Sequence, residues 1–479
     1  MSIFSGPFSI PILGSIPFLP KKSLINRVTL ADYMADTWGE VSCLYIANNL
    51  VVYISDAEVA RKVLKMEEAS GRPASKPLSQ LRFGKGDGKS RGILFSTDKE
   101  WREQRRFSMK TLKDMGFGKS SMEDSINSEV LKLVELLKEN SGEPIELRSL
   151  MNLSIVNSLW MLMSGEVLDL KDSKLKEFIS MFDKCVQGGG APNPVLSVFG
   201  VWAVDIFDKK FQFAKNTVRD IKRWIAHHIS DHKNAINLDW AQDTYITEYL
   251  KQIQKTSDPE SSFHTKKGEE SMITACFDLF VAGLETTTST LVWGILFLLH
   301  NHEIQRKVHF ELDNALGDRK TVNFDDRSKL PYTCAVINEI HRKASIVHSN
   351  LPHAAKEDLK INGFTIPKGA MILTNMIRIH HDEKNWNNPH TFDPERFIDQ
   401  DSHVCVSDVN LMPFSVGKRY CLGQSLAEKE VFMFFVGLMK AFEFVQLEGQ
   451  SLPDCGYHSG QSQSVIRTPP EYKVIIKQR

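Results

Sequence analysis

The chain has 479 residues, 59 Lys+Arg against 59 Asp+Glu, and a formal net charge of zero. Its 42% hydrophobic and 25% charged residues suit a folded protein with a large core and exclude disordered or collagen-like chains. Balanced charge also excludes a nucleic-acid binder held on by bulk positive charge.

Residues 1–20 are apolar, but Pro7, Pro11, Pro17 and Pro20 forbid a regular helix, and the stretch is too short to span a bilayer. It carries no secretory-signal pattern. Segment 40–54, EVSCLYIANNLVVYI, predicts two strands joined around Asn48-Asn49. Asp56 predicts a helix cap before AEVARKVLKM, and residues 70–92, rich in Gly, Ser and Lys, predict a long loop. From about residue 97 to 345 the apolar spacing is helical, as in MEDSINSEVLKLVELLKEN (122–140), with polar linkers near 231–240 and 252–270.

The run Ala275 to Leu299 is long enough to cross a bilayer, but Asp278, Glu285 and a TTTST tract interrupt it. Each central acid costs about 2.5–3.5 kcal/mol on insertion, so a long core helix is the expectation. Short strands return at 358–376 and a helix near 424–440. Composition never shifts sharply. The fold class is mainly α with a small β-rich lobe.

Seven cysteines, at 43, 185, 276, 334, 405, 421 and 455, include no C-x-x-C pair. An odd, scattered set argues for a reducing compartment and for small buried thiols. Cys421 stands apart. In FSVGKRYCLG (414–423), Phe414, Gly417, Arg419, Cys421 and Gly423 fit F-x-x-G-x-R-x-C-x-G. A chance match is on the order of one in ten thousand. The glycines let backbone turn sharply and pass close to a flat cofactor. The next helix, QSLAEKEVFMFFVGLM, points its positive end at the thiol and favours a thiolate. On haem iron a thiolate favours O–O cleavage.

Three further patterns accompany this loop. Glu339 and Arg342 in NEIHR share a helix face, as do Trp101 and Arg105 in WREQRRF. The segment VAGLETTTST (281–290) crowds four threonines and a serine into a helix that such residues disfavour. A broken local rule inside a core helix points to function.

On these motifs the chain resembles the cytochrome P-450 superfamily over almost its whole length. RGILFS, WREQRRFSMKTL, GFGKSSMED, LPYTCAVINEIHR, NLPHA and MPFSVGKRYCLG are similar to the microsomal family-2-type branch of animals. The resemblance implies a cytochrome P-450 fold with haem b (iron protoporphyrin IX) between a long central helix and the loop of Cys421, the axial iron ligand. Phe414 and Gly423 belong to that loop. Trp101, Arg105, Arg419 and His353, with Arg91 of RGILFS, would hold the propionates. Ala282 and Gly283 would leave room for oxygen, Thr286 would hydrogen-bond on the oxygen side, and Glu285 would relay protons. Arg396 of FDPERF would join Glu339 and Arg342 in a buried network behind the haem.

The resemblance also implies a monooxygenase that places one atom of O2 in an apolar small molecule. Electrons would come from a separate NADPH-cytochrome P-450 reductase, with cytochrome b5 as a second donor. Arg102, Arg106, Lys110 and Lys113, extended by Lys418 and Lys429, would form the docking stripe. Residues 1–22 resemble the branch's proline-rich hinge, without the membrane helix that precedes it there, and 23–479 would be a single haem domain. The expected location is the cytosolic face of the endoplasmic reticulum membrane, with VLSVFGVW (195–202) touching the bilayer. Specificity would lie in 75–95, 180–215, Phe277 to Ala282, Ile346 to Leu351 and Tyr457 to Gln463, with His348, Ser349 and Asn350 as hydrogen-bonders. Two rivals stand beside this reading. A haem-thiolate isomerase or dehydratase acting on peroxides tends to lose the acid–threonine pair retained here as Glu285-Thr286. A haem sensor or carrier needs no electron-receiving face.

Overall fold

The computed structural model describes residues 5–479 apart from 22–25, 84–88, 90, 116–119, 167, 169–174, 176, 183–192, 194–195, 197–199, 236–243 and 461–464. In chain order the helices are α1 (Arg27–Trp38), α2 (Ala57–Lys65), α3 (Lys76–Phe83), α4 (Asp98–Asp114), α5 (Ser120–Lys138), α6 (Leu147–Ser164) and α7 (Val201–Phe207). They continue with α8 (Lys209–Ala235), α9 (Tyr245–Lys255), α10 (Thr265–His300), α11 (His302–Leu316), α12 (Pro331–Ala344), α13 (Met376–His381) and α14 (Gln424–Ala441). The strands are β1 (Val41–Ile46), β2 (Asn49–Ile54), β3 (His353–Ala354), β4 (Leu359–Ile361), β5 (Phe364–Ile366), β6 (Met371–Thr374), β7 (Phe442–Gln446) and β8 (Val474–Gln478).

The β lobe is a four-stranded sheet of order β1-β2-β6-β3. β1 and β2 form the predicted hairpin, turning at Ala47-Asn48 with Ala47 at φ 53°. β6 pairs parallel to β2, placing Val51 opposite Met371. Asp56 caps α2 as expected, accepting from the Val59 N–H at 2.7 Å. The proline-rich start is not free: Ser5 bridges to Ser42 and Gly14 to Ile46 along the open edge of β1. A Cβ on Gly6 would lie 1.9 Å from the Cys43 carbonyl oxygen, so only glycine permits this approach.

α10 is the spine of the helical core, packed by α6, α8, α9, α12 and α14. Its most apolar 18-residue window is 72% buried within the protein, which agrees with a core helix. The TTTST tract leaves the helix unbroken. Thr286 Oγ1 donates to the Ala282 carbonyl at 2.6 Å and Thr290 Oγ1 to that of Thr286 at 2.8 Å, so these hydroxyls satisfy themselves on the preceding turn.

Element boundaries differ from expectation in three places. The 70–92 loop contains α3, with Pro77 at its second position, where a missing N–H costs nothing. α8 runs on to Ala235, into the expected 231–240 linker. The 252–270 linker shrinks to 256–264 because α9 ends at Lys255 and α10 starts at Thr265. Cys43, Cys276 and Cys334 are buried, whereas Cys405 and Cys455 are partly exposed. Cys185 lies outside the described residues.

Candidate functional site

Cys421 lies three residues before α14, at the end of a loop tied at several points. Its N–H donates to the Phe414 carbonyl at 2.9 Å, and the Phe414 ring meets His341 edge-on at 5.5 Å. The Asn350 amide donates to Ser415 Oγ at 3.0 Å, and the Met412 N–H donates to His380 Nε2 at 3.1 Å. Gly417 has φ 80°, and a Cβ there would lie 1.9 Å from the Leu64 carbonyl oxygen. Its glycine is therefore demanded by contact with α2, not by a cofactor. A Cβ on Gly423, in contrast, would meet no protein atom within 4 Å. Burial raises the Cys421 thiol above its usual range, with the Gly423 amide and the Arg105 charge acting against it. The helix end alone does not make the expected thiolate; a bound metal ion would.

Beside this loop, cations gather without matching acids. The Arg419 guanidinium stacks 3.9 Å over the Trp101 ring and donates to the Ser70 and Ser96 carbonyls at 2.8 and 2.7 Å. Its Nη1 is buried and has no partner among the described residues. Arg72, 8% exposed, donates to the carbonyls of Leu94, Leu351 and Pro352. Arg105 donates to the Tyr420 carbonyl at 2.8 Å and lies over that residue's ring. His353 on β3 bonds the Ala69 carbonyl at 2.8 Å through Nδ1. Burial, then the Arg105 charge, lowers Arg72 to about 9. Burial, then Arg72 and Arg105, lowers Arg419 to about 8, and burial with Arg72 lowers His353 to about 3.

Arg91 is not brought into this group. It lies 5.5 Å over the Phe83 ring at the end of α3 and donates to the Lys89 carbonyl at 3.2 Å. Arg72, which sequence reasoning missed, stands there instead. Its segment GRPASK has no spacing signal, and its neighbours Leu351 and Pro352 are about 280 residues distant in sequence.

On α10, the residues from Leu284 to Leu299 are buried with one interruption: Thr286 is partly exposed, as are Val281, Ala282 and Gly283. Ala282 and Thr286 share a face four residues apart. Gly283 does not open room for oxygen as expected; a Cβ there would strike Leu159 of α6 at 2.9 Å. Glu285 is 3% exposed, and its carboxylate is held by Arg148 of α6 and by Ser289 Oγ at 2.8 Å. Burial raises its pKa, and Arg148 opposes the rise. Thr287 Oγ1 donates to Glu430 Oε2 at 3.3 Å, tying the threonine stretch to the helix after Cys421. Glu430 also accepts from Ser158, and burial pushes its carboxyl up to about 8.

Behind the loop, Glu339 and Arg342 are fully buried and form a two-point ion pair, both bonds 2.7 Å. Arg396 Nε completes the triad 3.2 Å from Glu339 Oε2. Arg342 Nη1 donates to the His380 carbonyl at 2.7 Å, linking the triad to the residue that supports Met412. Asn350 and Tyr457 are already engaged, by Ser415 and by Asp32 respectively, rather than open to a ligand.

The sequence profile described as Cytochrome P450 matches residues 4–476. The chain belongs to the cytochrome P450 family. It is 32% identical to human cytochrome P450 2J2 over 441 residues, covering 92% of this chain and 85% of that protein. Cytochrome P450 2C28 of Mesocricetus auratus is 32% identical over 448 residues, 92% of this chain and 88% of the relative. Human cytochrome P450 2C8 is 30% identical over 475 residues, 98% and 93% of the two chains.

A cytochrome P450 is a haem-dependent monooxygenase that uses O2, a substrate and a redox partner reductase. The residues present fit that cofactor. Haem carries two carboxylates, and burial first, then neighbouring guanidinium charge, lowers Arg72 (from Arg105) and Arg419 (from Arg72 and Arg105), an environment that suits a dianion. The unpartnered Arg419 Nη1 points to the same ligand chemistry. Cys421 would supply the soft sulfur donor that an iron centre takes.

Proposed function

We propose that this cytochrome P450 hydroxylates or epoxidises apolar small molecules, using haem b held by Cys421 and electrons from a separate NADPH-cytochrome P450 reductase. The observation that carries this reading is the convergence of Arg72, Arg105 and Arg419 on the loop that presents Cys421. When bound, the haem supplies the oxygen chemistry: substrate, O2, two electrons and two protons give oxygenated product and water.

The chain's own residues do the rest. Arg72, Arg419 and His353 fix the propionate side, and Trp101 keeps the Arg419 plane in place. Thr286 gives its hydroxyl proton to the Ala282 carbonyl, leaving oxygen lone pairs free to accept a hydrogen bond on the substrate side. Arg148 and Ser289 hold Glu285 within the helix core, where its raised pKa suits proton uptake and release.

The reductase, and cytochrome b5 as a second donor, dock on Arg102, Arg106, Lys110 and Lys113. All four are exposed on one side of α4, while Trp101 on the other is buried. Lys418 is also exposed, 3.9 Å from Glu67, but Lys429 is 5% exposed and paired to Glu123 of α5, so it drops out. Residues 1–22 act as a hinge segment, tied to β1 at Ser5 and Gly14, and 23–479 as the haem domain. The enzyme works at the cytosolic face of the endoplasmic reticulum membrane. Trp202, Ile206 and Phe207 of α7, 60–62% exposed, with Phe213 of α8, form its bilayer contact. Of the expected contact segment 195–202, residues 195 and 197–199 lie outside the described residues.

The test is spectroscopic. Purified protein should give the red-shifted Soret band of a thiolate-ligated, reduced carbon-monoxide complex, and Cys421→Ser should abolish it. With NADPH and reductase the protein should consume O2 and oxygenate an apolar substrate; a silent assay with the band intact would favour a sensor or an isomerase.

A further inference from the structure

Residues of α1, of α13 and of the tail around Tyr457 line a cleft of about 840 Å³ that takes no residue from the group around Cys421. Asp32 of α1 is one of them. Its Oδ1 accepts from the Tyr457 hydroxyl at 2.7 Å and from the Asn375 amide at 3.1 Å. Its Oδ2 is buried and has no partner among the described residues. His381 of α13 lines the same cleft and is 6% exposed. Its Nδ1 lies 2.8 Å from the Ile377 carbonyl, which can only accept, so Nδ1 carries the ring proton. Nε2 is left as a buried acceptor, again with no partner among the described residues.

Tyr457 brings the two open acceptors together: its hydroxyl holds Asp32, and its ring meets His381 edge-on at 5.1 Å. Burial, then the Lys343 and Arg342 charges, hold His381 well below its usual range, so the ring stays neutral and Nε2 cannot donate. Asp36, Asp382 and Glu383 also line the cleft, against a single guanidinium, Arg378. That guanidinium donates to Asp36 at 2.7 Å and comes only within 4.0 Å of Asp32. Leaving a buried acceptor unmade costs about 1–3 kcal/mol, and here two stand in one acidic cleft. What fits them is a positively charged donor. No cluster of three metal-ligating side chains forms among the described residues, so the donor is organic.

We infer that this cleft binds a primary organic ammonium ion with a small aromatic body, at a site separate from the haem. An ammonium carries three N–H donors, enough to give one to Asp32 Oδ2 and one to His381 Nε2. The rings of Tyr33 and Tyr457 flank the cleft and receive the ligand's body. Its volume is that of a small-molecule site. This site is additional to the one for the oxygenated substrate and does not depend on which substrate that is.

Amines can also ligate haem iron, so the test uses reduced holoenzyme saturated with carbon monoxide, which leaves the iron no free position. Benzylamine and benzyltrimethylammonium, which has the same charge but no N–H, are titrated by calorimetry. Benzylamine should bind about ten-fold tighter, as charge-assisted hydrogen bonds give. Asp32→Asn keeps the oxygen that Tyr457 and Asn375 use and should erase that lead. His381→Phe keeps a ring against Tyr457 and should shrink it. Equal binding of the two probes to the unmodified protein overturns the inference, whatever the variants do. No benzylamine binding in the low-millimolar range overturns it as well, leaving the two acceptors to water. A lead that survives Asp32→Asn in protein with a normal carbon-monoxide band overturns it too.

Discussion

The Arg419 guanidinium lies flat on the Trp101 indole, 3.9 Å from its centroid, and so joins the Cys421 loop to α4. Arg419→Lys keeps the charge but loses the stacking plane and the forked bonds to Ser70 and Ser96. About 1–2 kcal/mol of cofactor retention should go with them. Haem transfer to apomyoglobin should quicken about ten-fold; an unchanged rate would remove Arg419 from the cofactor site.

Glu339→Gln should be worse than any surface change. It leaves Arg342 and Arg396 facing one another, with Arg342 fully buried and its carboxylate gone. Breaking such a network costs about 3–5 kcal/mol. Urea denaturation should show a loss of that size, and most of the expressed protein should lack haem.

His380 gives the fold an acid-sensitive point. Its Nε2 accepts the Met412 N–H, and Nδ1 faces Ser345 Oγ, whose own proton goes to the Arg342 carbonyl. Only the neutral ring fits, and burial with the Arg342 charge lowers its pKa to about 3. Above pH 6.5 the ring is neutral in both folded and unfolded chains, so it adds no pH dependence. Between about 6.5 and 3 the unfolded chain binds the proton and the folded one does not, so stability falls as pH falls. The slope is about 1.4 kcal/mol per pH unit for each such group. His380→Gln should flatten the curve by one group's worth; an unaltered curve would refute this assignment.

Thr286→Ala should bind haem and substrate normally but release more peroxide per NADPH, because the oxygen-side hydroxyl is lost. Thr286→Ser should restore coupling. Product and peroxide measured against NADPH consumed decide the matter, and coupling kept within about two-fold in the alanine variant defeats the role.

Charge reversal at Arg102, Arg106 and Lys110 should slow reductase-driven turnover and blunt its salt dependence. Peroxide-driven turnover bypasses the reductase and should hold steady. A parallel fall in both would mean the stripe serves folding.

Legibility tracked sequence distance. Cys421, Phe414, Gly423 and the Glu339–Arg342 pair were readable because their partners lie within one loop or helix turn. Arg396 was reached only through family resemblance, and Arg72 not at all, since two of its three partners lie about 280 residues away. Closeness in sequence to the haem loop also misplaced Lys429, because the cover that α5 and Glu123 lay over it is a tertiary fact. Gly283 and Gly417 were recognised as special for the wrong neighbour: each accommodates protein, Leu159 and Leu64, rather than cofactor.

The Arg419–Ser70 bond spans 349 positions, and the β2–β6 ladder likewise pairs Val51 with Met371. At about 5–20 residues per second of synthesis, the early half of the cofactor cradle waits some tens of seconds for its later half. In the later part of that interval α10 is complete while α14, which covers it, is not yet made. Assembly of the cofactor cradle is thus among the last events in the birth of the chain, and until then its longest apolar helix lacks part of its cover.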